Sequence, residues 1–166
     1  MSPRFVNIPD MMLWSQSIGG LIINFGIIEF QSLRWIQKLG GEDAAMKARK
    51  DKLSRRIETA LALTASPPFS NTEEGRARDL WAEASDHSKI RNRIAHNPIC
   101  VGRDAKTNGV VLSIIDLKKM APTSDNPLET LDHSQIASLA LRVRDIGRDL
   151  SDLIESIPGR QLCIRK

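Results

Sequence analysis

The chain has 166 residues, of which 41% are hydrophobic and 27% charged, a balance that suits one compact domain with a core large enough to do without staples. A net charge of +4 and a pI near 9.3 fit an anionic partner such as nucleic acid without requiring one. Aromatic residues make up 4% and tyrosine is absent, which argues against a β-sandwich and against an aromatic platform for stacking bases.

The N-terminus, Met1-Ser2-Pro3-Arg4-Phe5, lacks the charged-then-apolar form of a secretory signal. The most apolar run, Ile18 to Phe30, is broken by Gly19, Gly20, Asn24 and Glu29, and it reads as too short and too interrupted to cross a bilayer. Cys100 and Cys163 have neither metal-ligand spacing nor a disulfide framework, as in a reducing compartment. A soluble, cytoplasmic protein is expected.

Pro9-Asp10 opens a first helix, and Gly40-Gly41 stops it. Gly19-Gly20 is a place for a kink or a split. Ile18, Ile22, Phe25, Glu29, Leu33 and Ile36 form one stripe, with Leu21, Ile28 and Trp35 as a second apolar side. A helix this apolar is either central in its bundle or buried in a dimer contact. Glu29 is a carboxylate inside that stripe, and such a group needs water or a partner. It either reaches solvent at the stripe's edge or pairs with an arginine, for which Arg91 is a candidate.

A second helix reads from Glu42 to about Ala65, burying Met46, Leu53, Ile57, Ala60, Leu61 and Thr64. Lys47, Arg49, Lys50, Lys52, Arg55 and Arg56 crowd its other side. They form either a solvated face or a track for a phosphate backbone. After Ser66-Pro67-Pro68-Phe69, Ser70-Asn71-Thr72-Glu73 matches a capping box. The third helix then turns Ala77, Leu80, Trp81, Ala84, Ser88, Arg91 and Ala95 inward and ends near His96, because Asn97 precedes Pro98.

Ile99 to Val101 and Val110 to Asp116 are short β-branched runs, and Asn108-Gly109 suits a hairpin turn between them. A polar loop follows from Lys118 to about Asp132. Asp132 or Ser134 then caps a last helix whose seam is Ile136, Leu139, Val143, Ile146, Leu150, Leu153 and Ile157. The expected fold is all-α, a four- to five-helix up-and-down bundle with a short β-hairpin after the third helix. It forms a single domain with its core at about 10–157 and a tail at 158–166.

The densest chemistry lies in Arg91-Asn92-Arg93-Ile94-Ala95-His96-Asn97-Pro98. Ser88, Asn92 and His96 share a helix face, whereas Arg91 and His96, five apart, are rotated by about 140°. One site holding both needs an unwound last turn or a second copy of the chain. Arg91, on the inward stripe, also admits a structural role, stacked near Trp81 or paired to Glu29, and His96 admits one as a cation at a helix C-terminus. His87 and His133 show no partner spacing and read as surface residues. No histidine or carboxylate spacing suggests a metal site.

The form Arg91-Asn92-x-x-x-His96 resembles the signature of HEPN-domain proteins, in which an arginine followed by a polar residue precedes a histidine at the end of the third helix of a helical bundle. The motif covers eight residues, and the order of helices agrees over about 10–157. The resemblance implies an endoribonuclease needing no metal or other cofactor, cleaving single-stranded RNA in a composite site of a homodimer. Arg91, Asn92 and His96 are then the catalytic residues, with Lys89 and Arg93 at the substrate. Family members act as toxins or phage-defence factors, which adds an antitoxin protein to the partners it implies. The alternative is a HEPN-like module that binds RNA, a nucleotide or a protein without catalysis.

Overall fold

The structure, a computed structural model, describes residues 8–65, 69–104, 106–115 and 128–157. Among them the chain is mostly helical with one small antiparallel sheet: α1 (Ile8–Gly40), α2 (Glu42–Ala48), α3 (Leu53–Thr64), α4 (Asn71–His96), β1 (Ile99–Arg103), β2 (Val110–Ile115), β3 (Leu128–Asp132) and α5 (His133–Ser156). Two compact units emerge. One takes the chain up to Asn24 together with His87–Arg142, and the other Phe25–Asp86 together with the chain from Val143.

In the second unit, Phe25, Ile28, Trp35 and Ile36 of α1 are buried, as are Ile57 and Ala60 of α3, Ala77 and Trp81 of α4, and Val143, Ile146 and Leu150 of α5. Trp35 stacks on Phe69, meets Trp81 edge-on at 5.7 Å and donates its indole N–H to the Leu150 carbonyl at 3.2 Å. Ala45 and Ala48 of α2 pack on Ile36. Gly41 takes φ 90 where α1 turns into α2, a conformation that only glycine adopts freely.

Several expectations about these helices are corrected. The region 42–65 is two helices, because Arg49-Lys50-Asp51-Lys52 offers no apolar side chain whose burial would hold a helix across it. Met46 is exposed, and Ala45 and Ala48 take its place in the core. Helix α1 runs unbroken through Gly19-Gly20. Its buried side is centred on Leu21, Phe25, Ile28 and Trp35, which leaves Ile22 on the exposed side. Asp10–Gly40 is also long and apolar enough to cross a membrane by length and composition alone, contrary to the reading from its interruptions, and only 22% of its most apolar stretch is buried.

Glu29 has found an arginine. Arg56 Nη2 donates to its Oε2 at 3.2 Å, which gives the carboxylate in the apolar stripe a partner.

In the first unit, Trp14 and Leu21 of α1, Ile94 of α4, Leu112 and Ile114 of β2, and Ile136 and Leu139 of α5 are buried. The sheet order is β1-β2-β3, antiparallel throughout. Ile99 faces Ile114, Arg103 faces Val110, and Leu112 faces Leu131. Leu112 and Ile114 lie two apart, so they bury the same face. The hairpin is therefore a three-stranded sheet, and β3 occupies the end of what reads as a polar loop. The rest of that loop, 116–127, lies outside the described residues, as do Ser66-Pro67-Pro68 and the tail from 158.

The turn also differs. Val110 pairs with Arg103, so Asp104 to Gly109 form the connection instead of a two-residue Asn-Gly turn. Asp104 accepts from the backbone N–H groups of Lys106 and Thr107, and Asn108 takes φ 56. The Thr107 N–H, then its hydroxyl, then the Lys106 N–H hold the Asp104 carboxyl below the usual carboxylate range.

Candidate functional site

Helix α4 delivers the motif. Its start is the expected capping box: the Ser70 N–H donates to the Glu73 carboxylate at 2.9 Å, and the Glu73 N–H donates to the Ser70 hydroxyl at 3.3 Å. The Ser70 N–H first, then the Ser70 hydroxyl, which donates to the same carboxylate at 2.7 Å, lower the Glu73 pKa. The buried stripe of Ala77, Leu80, Trp81, Ala84 and Ser88 carries the helix forward, and Ile94 fixes its last turn. Ala95, expected on that stripe, is exposed in place of Ile94.

The helix stops where Asn97-Pro98 requires. The Asn97 backbone N–H and its side-chain amide both donate to the Arg93 carbonyl, at 3.1 and 2.9 Å. Pro98 has no N–H to continue the ladder. Its carbonyl accepts from the Ile115 N–H at 3.0 Å, so the end of α4 is tied to β2. Neither the Asn97 amide nor the Pro98 carbonyl stands out in the sequence as a site element, yet both set the position of the last turn.

Within that turn the side chains sort by exposure. Lys89, Asn92 and His96 are exposed, at spacings of three and four, and form one continuous edge. Arg91 and Arg93 are half-buried beside it, so Arg93, expected at the substrate, is less open than Lys89. Arg91 Nη1 donates to Asn92 Oδ1 at 2.9 Å. Arg91 and Asn92 are therefore coupled in the chain as it stands, and Asn92 links the half-buried arginine to the exposed edge. The His96 side chain is exposed and makes no hydrogen bond to the described residues. It is the last helical residue, where the negative end of the helix dipole favours a cation.

Because α4 stays helical through His96, the rotation of about 140° between Arg91 and His96 persists. Unwinding does not unite them within one copy.

The other histidines depart from expectation. His133 is half-buried, with Nε2 at 2.9 Å from the Ser17 hydroxyl and its ring edge-on to Trp14 at 5.3 Å. It joins the start of α5 to α1. His87 is half-buried too. Among the described residues no three His, Cys, Asp or Glu side chains gather as a metal-ligand set.

The basic run of α2 and α3 is only partly available to a partner. Arg56 is buried against Glu29, Arg55 pairs with Glu58 at 2.8 Å, and Arg49 approaches Glu42 at 3.9 Å. Lys47, Lys50 and Lys52 are exposed.

A hollow of about 380 Å³ lies where the hairpin turn meets the start of α5, bordered by Asp104, Lys106, Thr130 and Asp132. No sequence signal points to it. Both carboxylates are engaged by their own turns. The Ser134 hydroxyl first, then the Gln135 N–H, lower the Asp132 pKa, and Asp132 caps α5 through that N–H at 2.8 Å.

No family model, curated protein or solved structure matches this chain.

Proposed function

We propose that the chain is an endoribonuclease of the HEPN type that cleaves single-stranded RNA without a metal, as a cytoplasmic homodimer whose two motifs form one composite site, in a toxin or defence setting. The observation that carries this reading is the end of α4, where an exposed His96 follows an Asn92 that holds Arg91 at 2.9 Å. In the proposed domain, the helices make an up-and-down bundle, and the sheet after α4 braces its last turn.

The chemistry follows from the side chains. Histidine titrates nearest neutrality, so His96 takes the proton of the ribose 2′-hydroxyl. The 2′-oxygen bonds to phosphorus, the bond from phosphorus to the 5′-oxygen breaks, and a second histidine, that of the other copy, protonates the leaving oxygen. Arg91 keeps its charge and presents a fork of donors to the added charge on the phosphate. Asn92 orients Arg91. Lys89 and Arg93 bring positive charge to the RNA backbone. The product is a 2′,3′-cyclic phosphate, and DNA, lacking the 2′-hydroxyl, is not cleaved.

The test incubates single-stranded RNA with the protein in excess chelator, beside His96→Ala and Arg91→Ala. Cleavage that survives chelation and disappears in both variants supports the proposal. Equal cleavage by the variants refutes it, and RNA binding with no cleavage by the unaltered chain moves the assignment to a binding module.

A further inference from the structure

Helix α1 carries an outer face that the described chain leaves largely open, with the Arg34 guanidinium over the Phe30 ring at 5.9 Å as its flank. Met12, Gln16, Gly19, Ile23, Gly26 and Phe30 recur at alternating spacings of four and three, the seam of a helix that packs along another helix. Met12, Ile23 and Phe30 are 60%, 70% and 59% exposed. A surface helix normally turns charges outward, yet α1 has none from Met11 to Ile28.

The glycines sharpen the point. A Cβ added at Gly19, Gly20 or Gly26 would meet nothing within 4 Å. The chain's own packing therefore has no need of their smallness, although glycine weakens a helix relative to alanine. A helix lying close against this face would need it.

We infer that this face seats a second copy of the chain, with the two α1 helices packed antiparallel about a two-fold axis near Leu21. That register sets Gly19 against Ile23, Gly26 against Gln16, and Met12 against Phe30. Each seam glycine receives a larger side chain from the other copy, and every pair occurs twice, as a self-complementary interface demands. Notches opposite bulky side chains are shaped for a helix, whereas fluid acyl chains have no fixed knobs to fill them. The area is adequate: Met12, Ile22, Ile23, Ile27 and Phe30, at their observed exposures, leave roughly 500 Å² per copy, or about 1,000 Å² for the pair, the lower bound for a specific interface. The inference rests on α1 and shares with the nuclease reading only the need for two copies.

Sedimentation velocity of the full chain tests it, with Ile23→Glu and Phe30→Lys as variants. Both positions are exposed in one copy, so the helical circular dichroism stays unchanged. The unaltered chain is expected to sediment as a dimer at low micromolar concentration, with each variant at least tenfold weaker in association. In a Cys100→Ser, Cys163→Ser background, Met12→Cys with Phe30→Cys forms a disulfide-linked dimer on oxidation. Met12→Cys alone does not, because its two copies lie roughly 27 Å apart along the axis at 1.5 Å per residue.

A monomeric unaltered chain, a dimer indifferent to both charges, or cross-linking by Met12→Cys alone overturns the inference. So does a monomer that floats with phosphatidylcholine vesicles, since the face then belongs to a lipid surface. Neither measurement reads RNA cleavage. An inactive dimer counts only against the nuclease, and an active monomer only against this interface.

Discussion

The Glu29–Arg56 pair offers a direct test of how α1 is held in its unit. The two partners are unequally buried: the Arg56 side chain is 10% exposed and that of Glu29 is 33% exposed. Removing one partner from a buried pair costs about 3–5 kcal/mol, because the charge left behind has lost both water and counter-ion. Here the cost depends on which charge is left. Glu29→Gln strands the guanidinium, which has little access to water. The neutral amide still accepts a hydrogen bond, so the cost falls to about 2 kcal/mol. Arg56→Met leaves a carboxylate that reaches solvent and keeps most of the arginine's apolar stem, so it should cost below about 1 kcal/mol. Urea unfolding at fixed protein concentration reads both. With a slope of about 2 kcal/mol per molar, the Glu29→Gln midpoint drops by about 1 M and that of Arg56→Met by less than half as much, with slopes unchanged. An Arg56→Met loss equal to or larger than that of Glu29→Gln would refute the argument from stranded charge.

Three further outcomes are expected. Trp35→Ala removes a fully buried indole between Phe69 and Trp81 and should cost about 3–5 kcal/mol in urea unfolding, whereas Trp35→Phe, losing chiefly the bond to the Leu150 carbonyl, should cost about 1–2 kcal/mol. Asp104, Asp132 and Glu73 have lowered pKa values. The stability they contribute is present above their unfolded values and is lost as pH falls through the folded ones, so Asp132→Asn should flatten the acid limb of a pH–stability curve below about pH 4. Asn108 sits at φ 56, so Asn108→Gly should be near neutral in thermal unfolding, while Asn108→Val should cost about 1–2 kcal/mol because a β-branched side chain is strained there.

Reading the fold from the sequence succeeded where periodicity and caps agree. The seam of α5 from Ile136 to Ile157 is buried as its spacing requires, and the Ser70–Glu73 box starts α4. It failed where one signal outweighed another. Lys47 to Arg56 kept enough helical propensity to mask the break between α2 and α3, since propensity alone does not register that a stretch buries nothing. In α1 apolar residues fall on nearly all sides, so the pattern could not choose which side faces inward. The strand β3, Leu128–Asp132, has only weak alternation and gains its place by pairing with β2, a non-local contact that local pattern does not encode.

The candidate site divides along the same line. Helical rotation alone separates Arg91 from His96 and puts Asn92 on the histidine's side, and exposure follows that division. What rotation does not contain is the bond from Arg91 to Asn92, which spans two faces because an arginine side chain is long enough to reach its neighbour. That bond gives Asn92 a different place from the one its i, i+4 relation to His96 suggests. It is coupled to the arginine, and the histidine is left open to solvent. A residue that orients Arg91 acts on the phosphate and not on proton transfer. In the proposed nuclease, Asn92→Ala should therefore lower the maximal rate while keeping the pH profile set by histidine, whereas Asn92→Asp, which keeps an acceptor for Arg91, should recover part of that rate. A shifted pH profile in Asn92→Ala would place the asparagine with His96 instead.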